Sequence, residues 1–247
     1  MPAPAANPAT TTAGSAPRAL RWVSWILSAA CVGFALVSLR YLLIYVRPDL
    51  LQSTLGEYVK FPHSIVFFLH YGCLSTSLLL AVLLLRQEHP FAPRPRVTAA
   101  YSLMILLGNL FGFYYPFIRE RFDVSAWIML TIGALLYCSL YRAWRHRRDE
   151  DPARHREWMA LVFSLAFGAA IWRLVFLTLE AGSGVDYFAP GRDTRADASP
   201  NYHSAWFLSL VLALLLWGGL RKLLATDPSG PGGGRRAAPA DALRGAL

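Results

Sequence analysis

The sequence predicts an all-α, polytopic integral membrane protein: a bundle of six transmembrane helices with both termini in the cytoplasm. Three observations carry that reading. The 247 residues are 55% hydrophobic and only 16% charged, too apolar for one soluble domain. Six apolar runs, at about 22–46, 62–85, 97–118, 124–144, 157–180 and 203–224, each reach roughly the 20 residues that span a bilayer as a helix. Finally, the Lys and Arg residues are distributed unevenly about those runs. With six spans, one side receives sixteen of the 24, including Arg18, Arg21, Arg86 and the RHRR and RHR clusters. The other side receives six: Arg47, Lys60, Arg119, Arg121, Arg192 and Arg195. Basic residues favour the cytoplasmic face, which places both tails there. The formal charge of +9 does not indicate nucleic acid, because the basic residues sit at the ends of apolar runs rather than along a soluble face.

Taken in order, Met1–Pro17 is rich in Ala, Pro and Thr without apolar periodicity, so it reads as a disordered tail. Arg18 and Arg21 then precede the first run. No small-residue cleavage site follows it, which makes it an uncleaved first span rather than a signal peptide. Arg40, near the far end of that run, reads as a residue snorkelling to the interface. The second run starts at Pro62, which suits a first helical turn. His63, His70 and Ser77 are spaced to share one face of it, close to Cys73. His70 is either a hydrogen-bonded packing residue or a functional one, since ionisable groups inside a membrane often mark sites.

In the third run Gly108 and Gly112 form a small-xxx-small spacing that lets helix backbones approach. Asn109 there needs a polar partner, and Tyr114 and Tyr115 resemble an aromatic belt at the outer interface. Thr131 and Gly133 of the fourth run read as packing residues, and RAWRHRRDEDPARHRE reads as the charged connection that follows it. Its basic clusters set topology and are placed to meet anionic lipid.

The fifth run is the one around which the chain is organised, because it opens on a charged cluster and carries Arg173 deep in its apolar part. His155, Met159, Val162, Ala166, Ala169, Arg173 and Glu180 fall on one side of that helix. The small Ala166, Ala169 and Ala170 would let a neighbour pack closely. Arg173 either lines the bundle interior or snorkels to the interface. The stretch after this run is rich in Gly, Pro, Asp and Ser and reads as the longest external loop. The segment 226–247 reads as a second disordered tail.

Cys31, Cys73 and Cys138 are isolated within apolar runs, so neither a disulfide framework nor a thiolate metal site is expected. No phosphate loop, HExxH helix, GxSxG elbow or paired CxxC occurs, so the common signatures of catalysis are absent. Counting residues from the inner boundary puts His70 and Arg173 at one height, about 24 Å up. Tyr114 reaches a similar height, with His63 and His203 above. These five residues outline an expected polar pocket in the outer half of the bundle. The alternative is that outer helix ends are polar anyway and these groups satisfy one another.

The segment HREWMALVFSLAFGAAIWRL, with His155, Trp158, Met159 and Arg173 as its most specific positions, resembles the HRRWM...R signature of an uncharacterised bacterial membrane family called domain of unknown function 2306. His70 resembles the histidine near the start of that family's preceding conserved helix, so the likeness covers roughly residues 61–177. It departs before the third run, where PRPRVTAAY replaces a His-Arg...Gly-Arg element. The likeness implies architecture and positions in a bacterial inner membrane, not chemistry, because the family has no established activity.

Three functional classes follow. The first is a non-enzymatic protein, embedded in the lipid bilayer, that takes a small apolar, quinone-like or lipid-like ligand in the outer pocket and no cofactor or metal. The second is a redox protein with haem b held by histidines of different helices. A proton-coupled or small-solute transporter is the third, and for it buried Asp or Glu would be expected; none lies in the apolar runs short of Glu180.

Overall fold

The computed structural model describes residues 17–46, 63–118, 124–182 and 200–226. They form six helices: α1 (Arg18–Val46), α2 (His63–Leu85), α3 (Pro95–Ile118), α4 (Val124–Arg148), α5 (Pro152–Gly182) and α6 (Pro200–Ala225). Among the described residues there is no strand. Apart from Pro17 and Thr226, the two expected tails lie outside the described residues, as do residues 183–199 of the expected external loop, whose ends at 181–182 and 200–202 are helical. Four helices, α1, α4, α5 and α6, are long and apolar enough to cross a membrane. The described apolar part of α2, Leu69–Leu85, is shorter.

Helix ends differ from the ends of the apolar runs, for a local reason. Hydropathy marks where apolar residues begin, whereas α3, α5 and α6 begin on Pro95, Pro152 and Pro200, ahead of those points. Proline suits a first helical position because its fixed φ is already helical and its missing N–H would have had no partner there. The basic stretch through Arg148 is likewise helical, so the connection between α4 and α5 shrinks to Asp149–Asp151. Glu150 takes a left-handed conformation (φ 55°) and the Asp151 N–H donates to the His146 carbonyl at 2.9 Å, closing α4. The Asp151 carboxylate then accepts from the Arg154 N–H at 3.0 Å, capping α5 one residue before Pro152.

Successive helices pack against each other, and α6 also meets α4 and α1, which closes the bundle. Arg86, just past the end of α2, lies over the ring of Trp25 near the start of α1, so these two helices are antiparallel. The same alternation holds for each following pair. One end of the bundle therefore gathers the start of α1, the 86–94 connection, the 149–151 connection and the end of α6. Helix α5 is the most enclosed: 56% of its apolar window is buried, against 22–33% for the other three long apolar helices. Met159, Val162, Phe163 and Leu165 are all in its core face.

Glycines set two close approaches. A methyl group on Gly133 of α4 would collide with the Phe113 ring of α3, which stacks on Tyr137 beyond it. Gly168 of α5 marks one place where α6 comes near, with Ala213 Cβ 3.4 Å from a methyl placed there. Asn109 meets its need within its own helix, donating to the Ile105 carbonyl at 2.9 Å. Cys31 is buried in the core, whereas Cys138 is exposed.

Candidate functional site

Lipid chains are as apolar as leucine, so apolar contact alone does not decide which way a membrane helix faces; polar links do. The described links concentrate at two levels of α5. The first is at its start, where three consecutive residues reach three different elements. His155 is fully buried and its Nδ1 lies 2.8 Å from the Ala143 carbonyl of α4. A carbonyl only accepts, so Nδ1 carries the hydrogen of that bond. Arg156, 3% exposed, donates from Nε to the Pro90 carbonyl in the α2–α3 connection at 3.0 Å. Glu157 pairs with Arg221 of α6 at 2.6 Å. Residues successive on a helix point about 100° apart, which is how one turn can serve three neighbours.

The turn gripped by Arg156 is a strained one. Phe91, the residue after Pro90, has φ 60°, and a bulky side chain in that region costs on the order of 1–3 kcal/mol. Its N–H donates to the Leu84 carbonyl at 3.0 Å, and its ring packs 5.6 Å from that of Phe163 on α5. Burial of Phe91 and the Arg156 bond together hold the conformation. Within the RHR cluster, which the sequence reads as a topology signal placed to meet lipid, Arg156 is instead a buried clamp, while Arg154 is exposed. Met159 is 1% exposed in the core and Trp158 packs at its edge.

The second level lies near the other end of α5. Arg173 Nη1 donates to Ser38 Oγ of α1 at 3.1 Å, and Ser38 is 3% exposed. The guanidinium also sits over the Tyr71 ring of α2, 4.8 Å from its centroid, a cation–π geometry. It therefore faces α1 and α2. His70, next to Tyr71, places Nδ1 2.8 Å from the Gly108 carbonyl of α3 and lies within electrostatic reach of Arg173. Gly108 permits the approach, since a methyl there would meet Cys73 Cβ at 3.4 Å. Four helices thus meet around Arg173 and His70.

Of the other positions singled out by the sequence, His203 stands elsewhere. It adjoins Tyr202, whose ring joins Trp172, Phe176 and Trp206 in an aromatic cluster between α5 and α6. Within that cluster His203 Nδ1 and the indole nitrogens of Trp172 and Trp206 have no hydrogen-bond partner among the described residues. His63 begins α2, and Tyr114 and Gly112 lie in the last turns of α3; the side chains of His63 and Tyr114 fall outside the described residues. Among the described residues, no group of three His, Cys, Asp or Glu is placed to hold a metal ion.

Sequence reasoning missed Arg156, Glu157, Tyr71 and Ser38. One signal was present: three consecutive ionisable residues opening a helix cannot all face solvent if that helix is central. Ser38 and Tyr71 carried no such signal, because their role depends on which helix arrives beside them. No protein-family model, no curated protein and no solved structure matches the chain.

Proposed function

We propose that this chain is a non-enzymatic, six-span protein of a bacterial inner membrane, with both tails and the 149–151 connection in the cytoplasm. In this reading it binds a small amphipathic molecule in the outer half of the bundle, at Arg173 and His70. The Lys and Arg asymmetry supports the orientation, and the resemblance of His155–Arg173 to domain of unknown function 2306 belongs to the same proposal. The observation that carries the binding reading is the Arg173 guanidinium held against Ser38 and Tyr71 beside an imidazole whose Nδ1 is committed to Gly108. A guanidinium only donates, so the ligand presents an acceptor oxygen: a carbonyl, carboxylate or phosphate. With Nδ1–H directed at a carbonyl, neutral His70 offers Nε2 as an acceptor for a ligand hydroxyl. Lipid-like and quinone-like molecules combine such a head with an apolar tail.

The test is mass spectrometry of small molecules that co-purify with the detergent-solubilised protein. The wild type should retain a molecule that Arg173→Leu and Arg173→Lys both lose, since lysine keeps the charge but not the planar donor fork. Equal small-molecule content in all three would end the binding reading.

A second reading has the same bond in its favour. Histidines that ligate metals commonly donate their other N–H to a carbonyl, as His70 does to Gly108. Haem b would need a second axial ligand, and His203 lies in the α5–α6 aromatic cluster. A Soret band in the spectrum of the purified protein would establish haem; a featureless visible spectrum would remove it.

A further inference from the structure

At the end of the bundle that gathers the start of α1 and the end of α6, three described tryptophans each lie under a guanidinium. Arg86 is 3.0 Å from the Trp25 centroid, Arg147 4.7 Å from that of Trp144 and Arg221 5.6 Å from that of Trp217. The surroundings of the three pairs differ in charge. Arg221 is ion-paired with Glu157. Arg147 belongs to a stretch that mixes basic and acidic residues, in which Arg145 meets Asp149 and Arg154 meets Asp151. Beside Trp25 the charge is of one sign: Arg18, Arg21 and Arg86 form no ion pair among the described residues, and the exposed Glu88, two residues beyond Arg86, pairs with none of them.

Positions 18, 21, 22 and 25 fall on one side of α1. Arg18 and Arg21 there are exposed, and so are Trp22 (62%) and Trp25 (56%, even beneath Arg86). Arg86 joins this face from α2. Farther from that end of the bundle, Leu83 and Leu79 continue the exposed α2 stripe that Arg86 ends, and Val32 and Leu36 continue the exposed α1 stripe through Trp25. From the bundle end inward along the helices, the surface therefore runs from guanidiniums to indoles to aliphatic side chains. A phospholipid has the same order of chemistry: phosphate, then the ester region where indoles settle, then acyl chains.

We propose that this α1–α2 face is a binding site for an anionic phospholipid, with Arg86 and Arg21 holding its phosphate. Guanidiniums only donate and stay charged, so they take an anionic acceptor. Stacking on the Trp25 ring leaves the planar edge of Arg86, with its N–H donors, available to a phosphate, and it orders the side chain before the lipid arrives. Arg21 is one turn from Trp25 on the same face, close enough to serve the same phosphate. The site rests on the membrane part of the reading above, which the length and apolarity of α1 suit, and on nothing at the Arg173 level. In the orientation proposed there, the leaflet at this end is the cytoplasmic one, which carries anionic lipid.

Native mass spectrometry of the full-length protein, released from detergent micelles supplied with dioleoyl phosphatidylglycerol or dioleoyl phosphatidylcholine, tests the site. The two lipids share their acyl chains and a phosphate and differ in net charge. The wild type should retain phosphatidylglycerol several-fold more than phosphatidylcholine, and Arg86→Gln and Arg21→Gln should each remove most of that preference. Trp25→Leu should weaken it several-fold although no charge is lost, because the guanidinium loses the ring that orders it. Arg94→Gln and Arg96→Gln change exposed arginines at the same end that lie over no tryptophan among the described residues, and should leave the preference unchanged. Equal retention of the two lipids would overturn the proposal. So would a Trp25→Leu protein with the full preference, or losses at Arg94 and Arg96 as large as at Arg86, which would show only general attraction to a positive surface. Arg173 variants report on the outer site and Arg86 variants on this one, so either reading can fail alone.

Discussion

The two ends of α5 anchor the helix with different kinds of partner. At its start, His155 and Arg156 bond to main-chain carbonyls, of Ala143 and Pro90. At the Arg173 level the guanidinium meets side chains, a serine hydroxyl and a tyrosine ring. A backbone carbonyl cannot leave without moving its helix or turn, so the first end fixes where α4 and the α2–α3 connection stand. A hydroxyl or a ring changes partner by a rotamer change, so the contacts at the second end can change without moving a helix. Two arginines seventeen residues apart on α5, Arg156 buried and Arg173 half-buried, thus differ in what holds them, and the distinction lies in the partner rather than in the arginine.

The largest expected effect is at the first end. Arg156→Leu leaves the Pro90 carbonyl without its donor beside the strained Phe91, and should cost about 2–4 kcal/mol of stability. Thermal melts in detergent read this directly, and Arg156→Lys should recover little because the Nε donor is lost. An Arg156→Leu protein as stable as the parent would erase the contrast between the two ends.

Next comes the pair of glycines that set helix spacing toward the Arg173 level. Gly133→Ala drives a methyl into the Phe113 ring and should cost about 1–3 kcal/mol. Gly108→Ala meets Cys73 at an ordinary contact distance and should fall within about 1 kcal/mol of the parent. Equal losses would mean that α2 and α3 are held as tightly at His70 as α3 and α4 are at Phe113.

Substitutions of the polar groups at the second end should be milder. Arg173→Leu and His70→Ala should each cost about 1–2 kcal/mol, and less than their sum when combined, as expected of one network. Additive losses in the double-mutant cycle would separate the two residues and return Arg173 to an independent packing role. Smallest is the Glu157–Arg221 pair, whose arginine side chain is 59% exposed. A cycle of Glu157→Gln with Arg221→Gln should give a coupling below about 1 kcal/mol, shrinking as salt is raised. A larger, salt-independent coupling would make α6 a full member of the first end's framework.

Much of the architecture was legible along the chain. Six apolar runs mark six helices because the length and apolarity that a bilayer requires are local properties, readable without knowing any neighbour. Positions of Pro95, Pro152 and Pro200 could have sharpened the helix starts, since proline acts on its own backbone. His155, Met159 and Val162, which periodicity puts on one side of α5, are all buried. What periodicity could not supply was the identity of the neighbour. Ser38 and Arg173 are 135 residues apart, and His155 looked like the start of a motif rather than a ligand of the Ala143 carbonyl.

The sequence by itself therefore determined that this is an all-helical chain with helices fit for a membrane, where its charges gather, and that α5 is the unusual helix. Only the tertiary structure decided that Arg156 is a clamp, that Arg173 turns toward α1 and α2, and that His203 stands in a different cluster from His70. The physical reason is that hydropathy and helical period belong to one segment. A hydrogen bond between segments depends on the rotation and depth of two helices at once, and in lipid those are set by the sum of all the other polar links and close approaches in the bundle.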